Sequence, residues 1–142
     1  MSRLQTIEQK RAKVAWSYID YVNNDLDPKE IGDIQKFKNE YCSTVMKLSS
    51  LILTNGLGQT LAFLKSKGKG DKTKPQEKVY QHLQEWLTSA DVINWGRATE
   101  GELIERVMKI DNNKYRFVTM QTLSFLNWLK RFADAVLKDG GE

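Results

Sequence analysis

The residues best suited to chemistry are few in this chain. His82 is its one histidine and Cys42 its one cysteine. A single imidazole removes multi-histidine metal sites, zinc-protease helix motifs and paired-histidine nuclease chemistry together. No arginine stands a turn or two before His82, where helical ribonucleases of the toxin type would carry one. Beside Leu83, His82 reads as a surface or packed residue. A Cys42–His82 nucleophile pair is formally available, but nothing in the spacing favours it. Gly56-Leu57-Gly58 begins like a phosphate-binding glycine loop. However, no strand precedes it, Leu61 occupies the third glycine position, and no Gly-Lys-Ser/Thr follows. Glu100, Glu102 and Glu105 read as helix-start and solvent-face charges. The residues present no convergent catalytic set, no metal site and no cofactor motif.

The remaining chemistry is charge. The chain holds 22 Lys and Arg against 18 Asp and Glu. Residues 65–78, KSKGKGDKTKPQEK, contain six lysines against Asp71 and Glu77, so the rest of the chain is balanced and this stretch carries the whole net charge of +4. A localised surplus points to an anionic partner more directly than a uniformly basic composition does, and a solvated lysine loop is the plain alternative.

Helices must position these charges. Leu4, Ile7, Val14, Ala15, Tyr18 and Val22 form one stripe at 100° per residue, which predicts an amphipathic first helix. Arg11 falls inside that stripe and needs a carboxylate, a route to solvent or a partner surface, whereas Lys10 and Lys13 point away from it. Asp27-Pro28 suits an N-cap and first helical position. Helix then resumes, strongest from Tyr41 to Leu53, until Asn55-Gly56 interrupts it. Leu57, Thr60, Leu61 and Leu64 are helical again. Lys65 to Pro75 is predicted as a flexible lysine-rich loop. Val79, Tyr80, Leu83, Trp86 and Leu87 give the next apolar face, and Thr99-Glu100-Gly101-Glu102 matches a capping box. The last helix, Tyr115 to about Leu137, has a core stripe of Val118, Phe125, Leu126, Leu129, Phe132, Ala133 and Val136. Leu123 and Trp128 widen it to either side, so it sits centrally in a bundle or meets a partner. Opposite the stripe stand Asn127, Arg131 and Lys138, the last two being cations able to track a phosphate backbone without reading bases.

With no alternating strand pattern, the prediction is a single all-α domain spanning 1–142, a compact helical bundle of about five to seven helices. The 40% apolar content supports a packed core, and no stretch has the roughly 20 uninterrupted apolar residues of a membrane span. The opening Met1-Ser2-Arg3 lacks the pattern of a signal peptide, and one cysteine fits a reducing interior, so a cytoplasmic protein is expected.

Four segments in a fixed order carry a resemblance. They are QTIEQKRAKVAWSYI (5–19), KLSSLILTNGLGQTLAFLKSK (47–67), YQHLQEWL (80–87) and TMQTLSFLNWLKRFADAVLK (119–138). Together they closely resemble the fifth Cmr protein family, the small subunit of type III-B CRISPR effector complexes. The resemblance implies an all-helical, non-catalytic subunit. Its copies would stack head to tail beside the backbone subunits, contact the large multidomain subunit, and help hold target RNA against guide RNA. Base pairing would then supply the specificity. The resemblance also implies RNA-backbone roles for Lys10 and Arg11 in the basic opening helix, for Lys65 after the QTLAFL run, and for Lys130 and Arg131 in the terminal motif. Lys67, Lys69, Lys72 and Lys74, and Lys138 near the end, are expected to bind RNA on charge alone. Residues 88–113 show no resemblance. A helical protein–protein adaptor, with a merely solvated lysine loop, is the alternative.

Overall fold

A computed structural model of the chain describes residues 6–89 and 92–137. Among them all regular structure is helical: α1 (Ile7–Asn24), α2 (Pro28–Ile31), α3 (Ile34–Asn55), α4 (Leu57–Gly68), α5 (Pro75–Thr88), α6 (Leu103–Val107) and α7 (Asn112–Val136). Leu4, expected to open the first helix, lies outside the described residues. α7 packs between α1 and α3, α3 continues the layer onto α4 and α5, and α6 bridges α4 and α5.

The helix starts follow local chemistry. Thr6 caps α1 by accepting from the Gln9 amide at 3.1 Å, while the Gln9 side chain accepts from the Thr6 amide at 2.9 Å. Asp27 caps α2 with Pro28 in its first turn, as expected. Helix does not run on from Pro28, however. Gly32 adopts φ +83°, and Asp33 caps a new helix through the Lys36 amide at 3.0 Å. α4 begins after Gly56 (φ +90°) with no side-chain cap of its own, and the Tyr115 hydroxyl accepts from the Gly58 amide at 2.7 Å instead. The expected capping box at Thr99 is displaced by three residues. Gly101 has φ +91°, so helix starts only after it, with the Glu102 amide donating to the Glu105 carboxylate at 3.0 Å.

The lysine-rich loop is shorter than its composition predicts. Lys65–Gly68 completes α4 and Pro75 already begins α5, leaving Lys69–Lys74 between them. Helix persists through this polar stretch because Leu64 and Gly68 are buried against α5. The Glu77 carboxylate, itself buried, accepts from the Gly70 amide at 3.1 Å. Asp71 turns the segment by accepting from both the amide and the hydroxyl of Thr73, at 2.9 and 2.7 Å. These bonds hold its carboxyl below the usual carboxylate range.

The centre of the bundle is aromatic. The Tyr18 ring stacks on His82 at 4.1 Å, Trp86 stacks on Phe125 at 5.2 Å, and Tyr18 meets Phe125 edge to face at 6.0 Å. His82 is 4% exposed, and its Nδ1 lies 2.6 Å from the Tyr41 hydroxyl, which donates to it in the neutral tautomer protonated at Nε2. Burial, with the Lys78 charge adding to it, pushes the His82 pKa down to about 3 from an ordinary 6.5. His82 is therefore a core residue.

Two measurements test this packing. A β-carbon on Gly68 would stand 2.7 Å from Glu77 Cβ and 2.8 Å from its Cα. Gly→Ala inside a helix ordinarily stabilises by about 1 kcal/mol. Here overpacking should reverse the sign, so that Gly68→Ala lowers unfolding stability in urea by about 1–2 kcal/mol. The unfolded chain takes up a proton at His82 that the folded chain refuses. This contribution is thus complete above pH 6.5 and declines as pH falls toward 3. Urea unfolding at pH 7 and 5.5 should differ by about 1.4 kcal/mol, a difference missing in His82→Gln.

Candidate nucleic-acid interface

The expected RNA-binding residues fall at two places. The first is the C-terminal end of α4, where Lys65 and Lys67 occupy the last turn and suit the negative end of the helix dipole. Lys69 follows as C-cap in the left-handed conformation, φ +54°. Lys65 is already engaged. Its ammonium lies 2.9 Å from Glu102 Oε1 and 4.9 Å from the centroid of the Tyr80 ring. The Tyr80 hydroxyl donates to the same carboxylate oxygen at 2.6 Å and accepts from the Ile104 amide at 3.1 Å. The Tyr80 hydrogen bond, followed by that of Lys65, lowers the Glu102 pKa. Burial, then the bond to Glu102, raises that of Tyr80. Lys65 thus ties α4 to the start of α6, and part of its charge is neutralised locally.

Lys67 and Lys69 are exposed. The Lys67 ammonium stands 6.0 Å from the Phe63 centroid, and Lys47 of α3 stands 5.3 Å from the same ring. Phe63 gathers two cations from different helices, a spacing at which the ring quadrupole still attracts them. Lys47 was absent from the expected set. It opens the 47–67 segment, but its approach to Lys67 depends on how α3 folds against α4.

The second place is the seam between α1 and α7. Arg11 is 8% exposed. Its guanidinium donates to Glu8 Oε1 at 3.1 Å and to Gln121 Oε1 at 2.8 Å, while its buried Nε has no partner. The arginine inside the apolar stripe therefore takes a carboxylate and an amide across the seam, and its guanidinium is turned inward. Lys10 is on the exposed side of α1. On α7, Arg131 is exposed and Lys130 half-buried. Arg131 lines a surface groove of about 520 Å³ with Ser124, Asn127, Trp128 and, from across the seam, Glu8. Trp128 is half-buried, its ring 5.5 Å from that of Phe132, so it serves the core and the groove together. Lys138 lies outside the described residues.

The fold therefore brings Lys65, Lys67 and Lys69 to one helix end, and sets Arg131 in one groove with Glu8, the carboxylate that Arg11 holds. Such an arrangement can hold phosphates electrostatically and stack an aromatic ring. Among the described residues no group of three or more His, Cys, Asp or Glu converges to hold a metal, and no helix is long and apolar enough to cross a membrane.

Comparison with known proteins agrees with the order of these segments. The family model for the CRISPR-associated protein Cas_Cmr5 matches residues 7–136. The chain is 27% identical over 143 aligned residues to the CRISPR system Cmr subunit Cmr5 of Thermotoga maritima, covering 99% of this chain and 90% of that protein. It is 28% identical over 102 residues to the Cmr5 subunit of Thermus thermophilus, covering 72% of this chain and 79% of that one. The crystal structure of a Cmr5 family protein from Thermus thermophilus superposes with a TM-score of 0.69 at 23% identity, over 95% of this chain and all of that one, and so shares its fold. With the helical order, the α1–α7 seam and the family match all spanning the same residues, the chain belongs to the Cas_Cmr5 family of CRISPR-associated proteins.

Proposed function

We propose that this protein is a non-catalytic structural subunit of a cytoplasmic Cmr-type CRISPR complex that targets RNA. Family membership across residues 7–136 carries this reading. In it, the chain stacks on further copies of itself as a short filament. It contacts the backbone subunits and the large multidomain subunit, and lends cations to the backbones of guide and target RNA. Lys10, Lys67, Lys69 and Arg131 are exposed in support of that role, and Lys130 flanks Arg131. Arg11 acts behind them, fixing Glu8 and the α1–α7 seam. Lys65 reaches RNA only by giving up part of its hold on Glu102. The few cations of one copy bind weakly, and a filament sums such contacts along one strand.

Omitting the chain from a reconstituted complex should weaken target-RNA affinity and shorten the particle; unchanged affinity and length would refute the role. Lys130→Gln with Arg131→Gln, assayed in the assembled complex, should weaken binding to targets of every sequence. If both residues meet phosphates, the slope of log affinity against log salt should fall by about 1.4 for single-stranded RNA. An equal loss of folding stability in that variant would instead mark the two as structural.

A further inference from the structure

We infer that the groove between α1 and α7 is a subsite for one unpaired guanine nucleotide. The inference rests on the RNA-binding reading above and assigns to this groove a contact with a base in addition to the phosphate backbone.

The lining is mixed in a way that narrows its occupant. Ser124, Asn127 or Trp128, and Arg131 follow one another at three- and four-residue steps, so they occupy a single face of α7, with Glu8 facing them from α1. Arg131 disfavours a simple cation, and Glu8 disfavours a simple anion. The ligand that satisfies both carries a hydrogen-bond-donating edge for the carboxylate and a separate negative group for the guanidinium. A nucleotide has this build, and its base offers a flat face to the indole of Trp128.

Glu8 then discriminates among bases. A carboxylate accepts two hydrogens side by side, and guanine alone presents two adjacent donors, N1–H and the exocyclic N2 amine. Adenine and cytosine pair a donor with an acceptor, and the N3–H of uracil is flanked by two acceptors. The Asn127 amide complements guanine with a donor for O6. Arg131 takes the phosphate.

The carboxylate is also held in place. Glu8 keeps 60% of its side chain in solvent, yet Arg11 fixes its Oε1 at 3.1 Å, and Gln121 fixes Arg11 in turn. The groove volume of about 520 Å³ suits a ligand of nucleotide size, since small-molecule sites run from roughly 300 to 1,000 Å³.

The test is an NMR titration of the full chain with guanosine 5′-monophosphate, with the adenosine, cytidine and uridine monophosphates as controls. The Trp128 indole N–H signal is assigned by comparison with Trp128→Phe. The expected result is a saturable shift of the Trp128 indole and Asn127 amide signals with the guanine nucleotide, at lower concentration than with the other three. Glu8→Gln should weaken that affinity about tenfold and leave the uridine response unchanged. Trp128→Leu should abolish the shift of the Asn127 amide signals while circular dichroism retains the helical signature. Equal shifts with all four nucleotides, or none, would overturn the subsite. So would saturation by N-acetyl-argininamide alone, which would assign the groove to a partner's side chain. Salt-dependent binding of a uridine-only RNA by the assembled complex is measured in parallel. If it persists while the guanine response is missing, only the subsite fails; if both are missing, the RNA-binding reading fails with it.

Discussion

The neutral imidazole of His82 is the point on which the bundle turns. Four helices meet around it: α5 supplies it, α1 lays Tyr18 flat upon it, α3 aims the Tyr41 hydroxyl at its nitrogen, and α7 brings Phe125 against Tyr18. A fully apolar side chain of similar volume would fill the space but would strand the buried Tyr41 hydroxyl. Leaving such a group unpaired costs about 1–3 kcal/mol. The hydrogen bond ties α3 to α5, and the stack ties α1 to α5. α7 packs in turn on α1 and α3.

The sequence made the helical class legible for a simple reason. Burial on one face of a helix leaves a periodic trace, and the stripes from Val14 to Val22 and from Val118 to Val136 are long enough to carry it. Arg11 was legible too, because a cation inside an apolar stripe must find an acceptor. The misplaced boundaries lie where local composition yields to tertiary contact. Lys65–Gly68 looks like loop by residue type, yet α5 presses on Gly68 and keeps the turn helical. Thr99 has the right side chain for a cap, but the positive φ of Gly101 delays the helix to Leu103. Gly32 was visible as a glycine, but its role as a break was hidden inside an otherwise helical run.

The candidate interface was only half legible for the same reason. Residue type and charge identify Lys67, Lys69, Lys130 and Arg131 as available cations. They do not reveal that Lys65 is partly spent on Glu102, or that Lys47 joins Lys67 around Phe63. The groove of Glu8, Trp128 and Arg131 exists only because α1 lies against α7, a relation between residues more than a hundred positions apart. Charge is a property of single residues; a recognition surface is a property of their arrangement.

The turn from Lys69 to Lys74 has a consequence for the thermodynamics of binding. Glu77 and Asp71 stitch its backbone at Gly70 and Thr73, and close packing at Gly68 anchors its start. A slack lysine-rich tether would have to surrender about 1–2 kcal/mol of backbone freedom per residue on meeting a polyanion. Here much of that loss is incurred when the chain folds. The cations are presented in a preorganised curve, so their attraction is offset less by ordering at the moment of contact.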